Sequence, residues 1–201
     1  AGSQSRTWRV SAYLNADDLI VLTLDASPWG LGGVLQVGGI ITRFFKSKLT
    51  TTDCRIHHHR IGEAKGQQTW ELLTVLVALR SWFEFWEGRR IQVQIRSDNY
   101  AALTGASRLK GTRGLGLILR ELSYLYTSSS FEPSLCTHIP GICNGIADCL
   151  SRWFEPGRPR GLPKALDDVE ETIVGPRRRS YYRTLPAKQA GQRRKRAGVC
   201  K

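Results

Sequence analysis

Apolar positions run without interruption from Leu19 to Leu22 and resume at Leu24, just before Asp25. A continuous run of that length predicts a strand covered on both faces, ending at the aspartate. The turn residues Pro28-Trp29-Gly30 and Gly32-Gly33 separate it from a second strand over Val34–Val37. Gly38-Gly39 suits a tight hairpin into a third strand over Ile40–Phe45. Residues 50–66 are polar and read as a loop. From Gln67 to Trp86 the apolar residues Leu72, Val75, Leu76, Leu79 and Phe83 recur at helical spacing, and Gly88 marks the stop. Ile91–Ser97 alternates like a strand with one covered face. A short helix over Asn99–Ser107, a helix over Gly114–Tyr126, a fifth strand over Leu135–Ile139 and a last helix over Asn144–Phe154 complete the order. Three hairpin-linked strands followed by helix, strand, helices, strand and helix predict an α/β fold. Its expected form is a mixed five-stranded sheet, three antiparallel strands then two parallel, flanked by helices.

The chain has 201 residues, 41% of them hydrophobic, enough for one domain with its own core. Its formal net charge is +13, which favours a polyanionic partner, nucleic acid ahead of an acidic membrane surface. The charge is uneven: residues 157–201 carry 13 Lys/Arg against 4 Asp/Glu, with five prolines at 156, 159, 163, 176 and 186 bordering or within them. The expected organisation is a connector over 1–18, a folded domain over 19–156 and a basic, disordered tail over 157–201. No apolar run approaches the roughly 20 residues of a membrane span. Five cysteines without CxxC spacing argue against a zinc finger and a disulfide framework, and fit a reducing compartment, cytoplasm or nucleus. The sequence contains no methionine, so it reads as a piece of a longer product.

Four acids stand at the places such a fold can gather. Asp25 ends the first strand, Glu71 lies on the long helix, Asp98 follows the fourth strand, and Asp148 lies on the last helix within Ala147-Asp148-Cys149-Leu150-Ser151-Arg152. Clustered carboxylates raise one another's pKa, and divalent cations relieve the repulsion. Such a cluster, loaded with metal, is suited to cutting phosphodiesters.

The local words around these acids resemble the type 1 ribonuclease H family, in the version fused to reverse transcriptases in retrotransposons. Asp25-Ala26-Ser27-Pro28-Trp29-Gly30-Leu31-Gly32-Gly33-Val34-Leu35 resembles the family's first-strand motif. Glu71-Leu72-Leu73-Thr74-Val75 is similar to its glutamate helix, and Ser97-Asp98-Asn99-Tyr100-Ala101-Ala102-Leu103 to its third acidic motif. His138-Ile139-Pro140-Gly141 through Asn144, then Ala147 to Arg152, resembles the closing motif of gypsy-like and tyrosine-recombinase elements. The likeness spans roughly residues 19–154. It implies a ribonuclease H-like fold and hydrolysis of the RNA strand of RNA–DNA hybrids with two Mg²⁺ ions, Mn²⁺ being a possible substitute. It also implies roles: Asp25 bridging both ions, Glu71 and Asp98 holding the one nearer the leaving group, and Asp148 helping to hold the one that activates water. Gln67, Gln68, Asn99 and Tyr100 fall where members contact the hybrid, although ordinary surface polarity accounts for them equally well. An upstream reverse transcriptase domain of the same polyprotein is the implied partner. Ile142 stands where many members carry a mobile loop histidine, as retroelement versions often do without one.

Two rival readings stay open: a non-catalytic scaffold of the same fold that binds nucleic acid, and another nuclease such as a resolvase or integrase. His138 reads as a packed strand residue rather than a catalyst. Adjacent His57, His58 and His59 read as a solvated loop, since neighbouring residues rarely converge on one ion. Trp70, Trp82, Phe83, Phe85 and Trp86 read mostly as packing, with Trp82 and Trp86 placed to face an absent upstream domain. Arg177-Arg178-Arg179 and Arg193-Arg194-Lys195-Arg196 suit phosphate contact, nuclear import or a solvated tail alike.

Overall fold

Residues 19–88, 91–99, 109, 113–128, 132–138 and 144–183 are described by a computed structural model (residues 113, 128 and 132–138 by their backbone alone). The apolar run forms β1 (Ile20–Ala26), buried along almost its whole length. It pairs antiparallel with β2 (Gly30–Val37), which pairs antiparallel with β3 (Ile40–Lys48). Gly38 and Gly39 both take positive φ, 58° and 84°, as a two-residue hairpin turn requires if its twist is to match the strands. On the other side of β1, β4 (Gln92–Ser97) runs parallel to it, and β5 (Glu132–His138) parallel to β4. The expected five-stranded mixed sheet is therefore present, in the order β5-β4-β1-β2-β3. A two-residue strand, β6 (Glu170–Glu171), is added at the β3 edge.

Four α-helices pack around the sheet among the described residues: α1 (Thr51–His57), α2 (Gln67–Ser81), α3 (Gly116–Ser128) and α4 (Gly145–Ser151). The segment 50–66, expected as a loop, contains α1. Its start is a reciprocal cap: Asp53 N–H donates to the Thr50 hydroxyl, and Thr50 N–H donates to the Asp53 carboxylate. Seven polar-rich residues carry no helical periodicity, so the cap was the one local signal. Residues 69–79 of α2 are all buried, so this helix has no solvent face to shape an amphipathic pattern. It ends at Ser81, earlier than expected, and a 3₁₀ turn over Phe83–Phe85 follows. Trp82 and Trp86 are buried in the main core rather than facing outward, and Trp82 Nε1 donates to Thr172 Oγ1 at 2.8 Å. The short helix expected over 99–107 lies, beyond Asn99, outside the described residues. No described helix is long and apolar enough to cross a membrane.

α4 sits directly on β2. A Cβ at Gly30 would meet Ser151 O at 2.6 Å, and one at Gly32 would meet Ala147 O and Ser151 N at 2.5 Å. Only glycine allows this approach, which brings α4 against the first hairpin.

The expected tail boundary at 156 needs correction for residues 157–183. Beyond β6, Arg177 enters a buried site, donating from Nε to Asp53 Oδ1 at 3.0 Å, from Nη1 to Ser47 Oγ at 2.6 Å and from Nη2 to Lys48 O at 2.7 Å. Tyr182 is fully buried, its hydroxyl 2.9 Å from His57 Nε2, and Arg80 and Arg120 donate to the carbonyls of Tyr181 and Tyr182. Composition marks this stretch as disordered because its few anchors are scattered among prolines and charges. Its order comes from contacts with residues 62 to 130 positions away. Breaking a buried ion pair from one side leaves a charge uncompensated and costs about 3–5 kcal/mol. Arg177→Ala is therefore expected to lose about that much stability in urea unfolding, and a chain ending at residue 156 to lose more, while Arg178→Ala, on an exposed residue, stays near wild type.

Candidate metal centre

The parallel pairing of β1 and β4 aligns Thr23 with Arg96. Two residues further along each strand stand Asp25 and Asp98, so the register alone brings these acids level. Glu71 reaches them from the first turns of α2, which packs across β1. One carboxylate oxygen from each of Asp25, Glu71 and Asp98 lies within 4.8 Å of the others. Asp25 and Glu71 are buried and Asp98 is exposed, so the cluster opens to solvent on one side. Among the described residues no other group of His, Cys, Asp and Glu converges in this way. His57 is buried against Trp70 and Tyr182, and His59 meets Thr69 Oγ1 at 2.9 Å, so the three consecutive histidines do not share a site.

Side chains of α4 and its N-cap hold Asp25 in place. Ser151 Oγ donates to Asp25 Oδ2, and Asn144 Nδ2 donates to Asp25 Oδ1 and to Leu24 O, both at 3.3 Å. Ser27 Oγ donates to Ser151 O at 2.8 Å, closing the link between the β1–β2 turn and α4. Asn144, Ser151 and Ser27 are all buried. Gln67, expected at the substrate, turns inward instead: its amide donates to Glu71 Oε1 at 2.8 Å and to Ala26 O at 2.6 Å. It orients Glu71 as the serine and asparagine orient Asp25. Gln68 is exposed one residue on, Asn99 is half-buried with its N–H bonded to Ser97 Oγ, and Tyr100 lies outside the described residues. His138 ends β5, its backbone in register with Ser97, and Ile142 lies outside the described residues.

Asp148 does not join the other three. It lies on α4 with its carboxylate engaged by two arginines: Arg152 Nε donates to Oδ1 at 2.5 Å and Arg158 Nη2 to Oδ2 at 3.3 Å. Its charge still acts on Asp25. The supporting residues Asn144, Ser27 and Ser151 stand in the quoted motif words, but their hydrogen bonds to Asp25 and α4 depend on how α4 docks. Nothing local in the sequence announces them.

No family model and no curated protein matches this chain. Among solved structures, ribonuclease H1 from the halophilic archaeon Halobacterium salinarum NRC-1 is similar at 18% identity, over 67% of this chain and 95% of that one, with a TM-score of 0.45.

The electrostatics of the cluster follow from its burial. Desolvation pushes the Asp25 carboxyl up to about 7; the Ser151 hydrogen bond opposes this, and the charges of Asp98 and Asp148 add to it. Glu71 is raised well above the usual carboxylate range by burial first and by Asp25 second. Three carboxylates offering hard oxygen donors in one solvent-open cluster fit a divalent cation such as Mg²⁺ or Mn²⁺. The same shifts set a pH dependence. A raised carboxyl keeps its proton in the folded state where the unfolded chain has lost it, so stability falls as pH rises from about 4 to 7. A cation favours the ionised cluster and reverses the trend. Thermal unfolding of the metal-free protein should show Tm declining across that window, with stabilisation by Mn²⁺ growing over it. Asp25→Asn should flatten both curves.

Proposed function

We propose that this chain is a metal-dependent endonuclease that hydrolyses the RNA strand of RNA–DNA hybrids, as the ribonuclease H part of a retroelement polyprotein. The observation that carries the reading is the convergence of Asp25, Glu71 and Asp98. These are three of the four acids whose surrounding words resemble type 1 ribonuclease H, and they come from segments far apart in the chain. The net charge of +13 suits a polyanionic substrate.

In this reading Asp25, Glu71 and Asp98 hold divalent cations, Mg²⁺ in the first place, and Asp148 completes the set. When bound, the cations supply charge to a phosphodiester whose negative charge grows in the transition state and help generate the attacking hydroxide. Asn144 and Ser151 keep the Asp25 carboxylate aimed into the cluster, and Gln67 does the same for Glu71. Such restraint matters because catalytic geometry tolerates little displacement. Exposed Gln68, and Asn99 and Tyr100 beyond the end of β4, are the proposed contacts to the hybrid, whose wide minor groove displays the RNA 2′-hydroxyls. An upstream reverse transcriptase domain is the proposed partner, and the reducing compartments of the cell, cytoplasm or nucleus, the proposed location.

One observation favours a second reading, a scaffold that binds nucleic acid without cutting it: Asp148 is neutralised by Arg152 and Arg158 rather than facing the other acids. A labelled RNA–DNA hybrid incubated with the protein and Mg²⁺ separates the two. The expected outcome is cleavage of the RNA strand alone, abolished by chelator and reduced about a hundredfold to a thousandfold in Asp25→Asn, since loss of a group that acts directly in electrostatic stabilisation costs on that order. Tight hybrid binding with intact RNA in both Mg²⁺ and Mn²⁺ supports the scaffold. Equal cleavage of duplex DNA points to another nuclease of the same fold.

A further inference from the structure

Asp148, Arg152, Glu155 and Arg158 form a closed ring of ion pairs at the end of α4. Arg152 bridges Asp148 Oδ1 at 2.5 Å and Glu155 Oε2 at 3.6 Å, and Arg158 bridges Asp148 Oδ2 at 3.3 Å and Glu155 Oε2 at 3.5 Å. Two cations face two anions, so the ring is neutral. Each Asp148 oxygen already accepts from a guanidinium, so a metal would have to compete with the two arginines for the carboxylate. The ring is nonetheless close to the cluster, because the charges of Asp148 and Arg152 both act on Asp25.

Exposure distinguishes this ring from the chain's permanent ion pair. The Arg177 and Asp53 side chains are 2% and 0% exposed, whereas those of Arg152, Arg158 and Asp148 are 40%, 35% and 36% exposed. Ion pairs so open to water contribute little to stability, and their partners exchange at little cost. A guanidinium also pairs with phosphate in the same two-pronged geometry that it uses for a carboxylate. Glu155 is shared by both arginines and is the less exposed acid, at 23%, so it can retain a contact to either arginine once Asp148 has left.

Resting on the reading that the acidic cluster takes divalent metal and a nucleic acid, we infer that Arg152 and Arg158 are a latch. In the free protein they hold Asp148 away from the cluster. When nucleic acid arrives, its backbone phosphates take the two guanidinium groups, and Asp148 is released to complete the metal site. Arg152 and Arg158 are thus positioning residues for Asp148 as well as phosphate contacts. The arrangement ties completion of the site to the presence of substrate. It requires reciprocity: nucleic acid must tighten metal binding through Asp148, and metal must tighten nucleic-acid binding by the same factor.

The test uses the full chain, with Mn²⁺ alone titrated by calorimetry and with an RNA–DNA hybrid bound in chelator at several salt concentrations. Arg158→Gln, and separately Arg152→Gln, is expected to raise Mn²⁺ affinity about tenfold, within the usual range of coupling between sites. Removing any nearby positive charge would attract a cation, so the decisive arm is the double-mutant cycle with Asp148→Asn. Under the latch, the gain from Arg158→Gln disappears in the Asp148→Asn background. Under simple charge repulsion it persists, and the latch is overturned. In chelator, Asp148→Asn should strengthen hybrid binding, and each arginine replaced should lower the salt slope by about one phosphate contact. Unchanged Mn²⁺ affinity and salt slope in both arginine variants also overturns the proposal, leaving ordinary surface ion pairs. Should Arg152→Gln fail to fold, Arg158→Gln, whose residue lies beyond the helix, carries the test. If the wild-type chain takes up neither Mn²⁺ nor hybrid, the nuclease reading falls together with the latch. If Mn²⁺ binds and is lost in Asp25→Asn while the cycle shows no coupling, the latch alone falls.

Discussion

Mutual repulsion among Asp25, Glu71 and Asp98 is the constraint on which the surrounding structure turns. Two of these carboxylates are buried, and burial of like charges in close quarters favours their protonated forms. A fold that keeps them together without a cation must hold each one against its tendency to swing away. The neighbouring hydrogen bonds do this. Ser151 and Asn144 fasten Asp25, Gln67 fastens Glu71, and the parallel register of β1 and β4 leaves Asp98 at the open side. A divalent cation placed among these carboxylates would relieve that repulsion.

The same need explains why α4 lies so close to the sheet. The serine and asparagine that restrain Asp25 belong to α4 and its N-cap, so that helix must touch β1 and β2. Gly30 and Gly32 remove the side chains that would hold it off. The cost is a pair of residues that contribute little to strand packing, offset by the buried hydrogen bonds gained. α2 answers from the opposite side of β1 with eleven consecutive buried residues, a rigid base for Glu71. The acidic cluster therefore lies between two helices that are each anchored to the same central strand.

Ion pairs in this molecule serve two different ends according to their exposure. Arg177 and Asp53 are sealed from water, Ser47 Oγ accepting from Arg177 and the Thr50 hydroxyl donating to Asp53, and they tie a late segment to the start of α1. In the interior a charge must keep its partners, so this contact is permanent. Arg152, Arg158 and Asp148 stay in contact with solvent, where partners exchange cheaply. One pairing secures the fold, and the other leaves room for a change of state beside the acidic cluster.

Order and type of the sheet strands were legible in the sequence because each depends on short-range signals: the unbroken apolar run of β1, the Gly38-Gly39 turn and the alternation in β4. Asp25 and Asp98 stood out for the same reason, each closing a strand-like segment, and Glu71 and Asp148 stood out within helical ones. What periodicity does not encode is the partner across the fold. Thr50–Asp53 capping made a helix of a polar segment, and the buried partner of Arg177 lies 124 residues away, so composition misread the stretch from 157 to 183. Gln67 likewise reads as a surface amide until α2 is laid across β1, where Glu71 and Ala26 claim it. The sequence by itself determined which acids are candidates for the chemistry and in what order the elements appear. Tertiary structure decided which of those residues meet, because burial, register and ion pairing between distant segments set the position of every carboxylate, and they separate Asp148 from the other three.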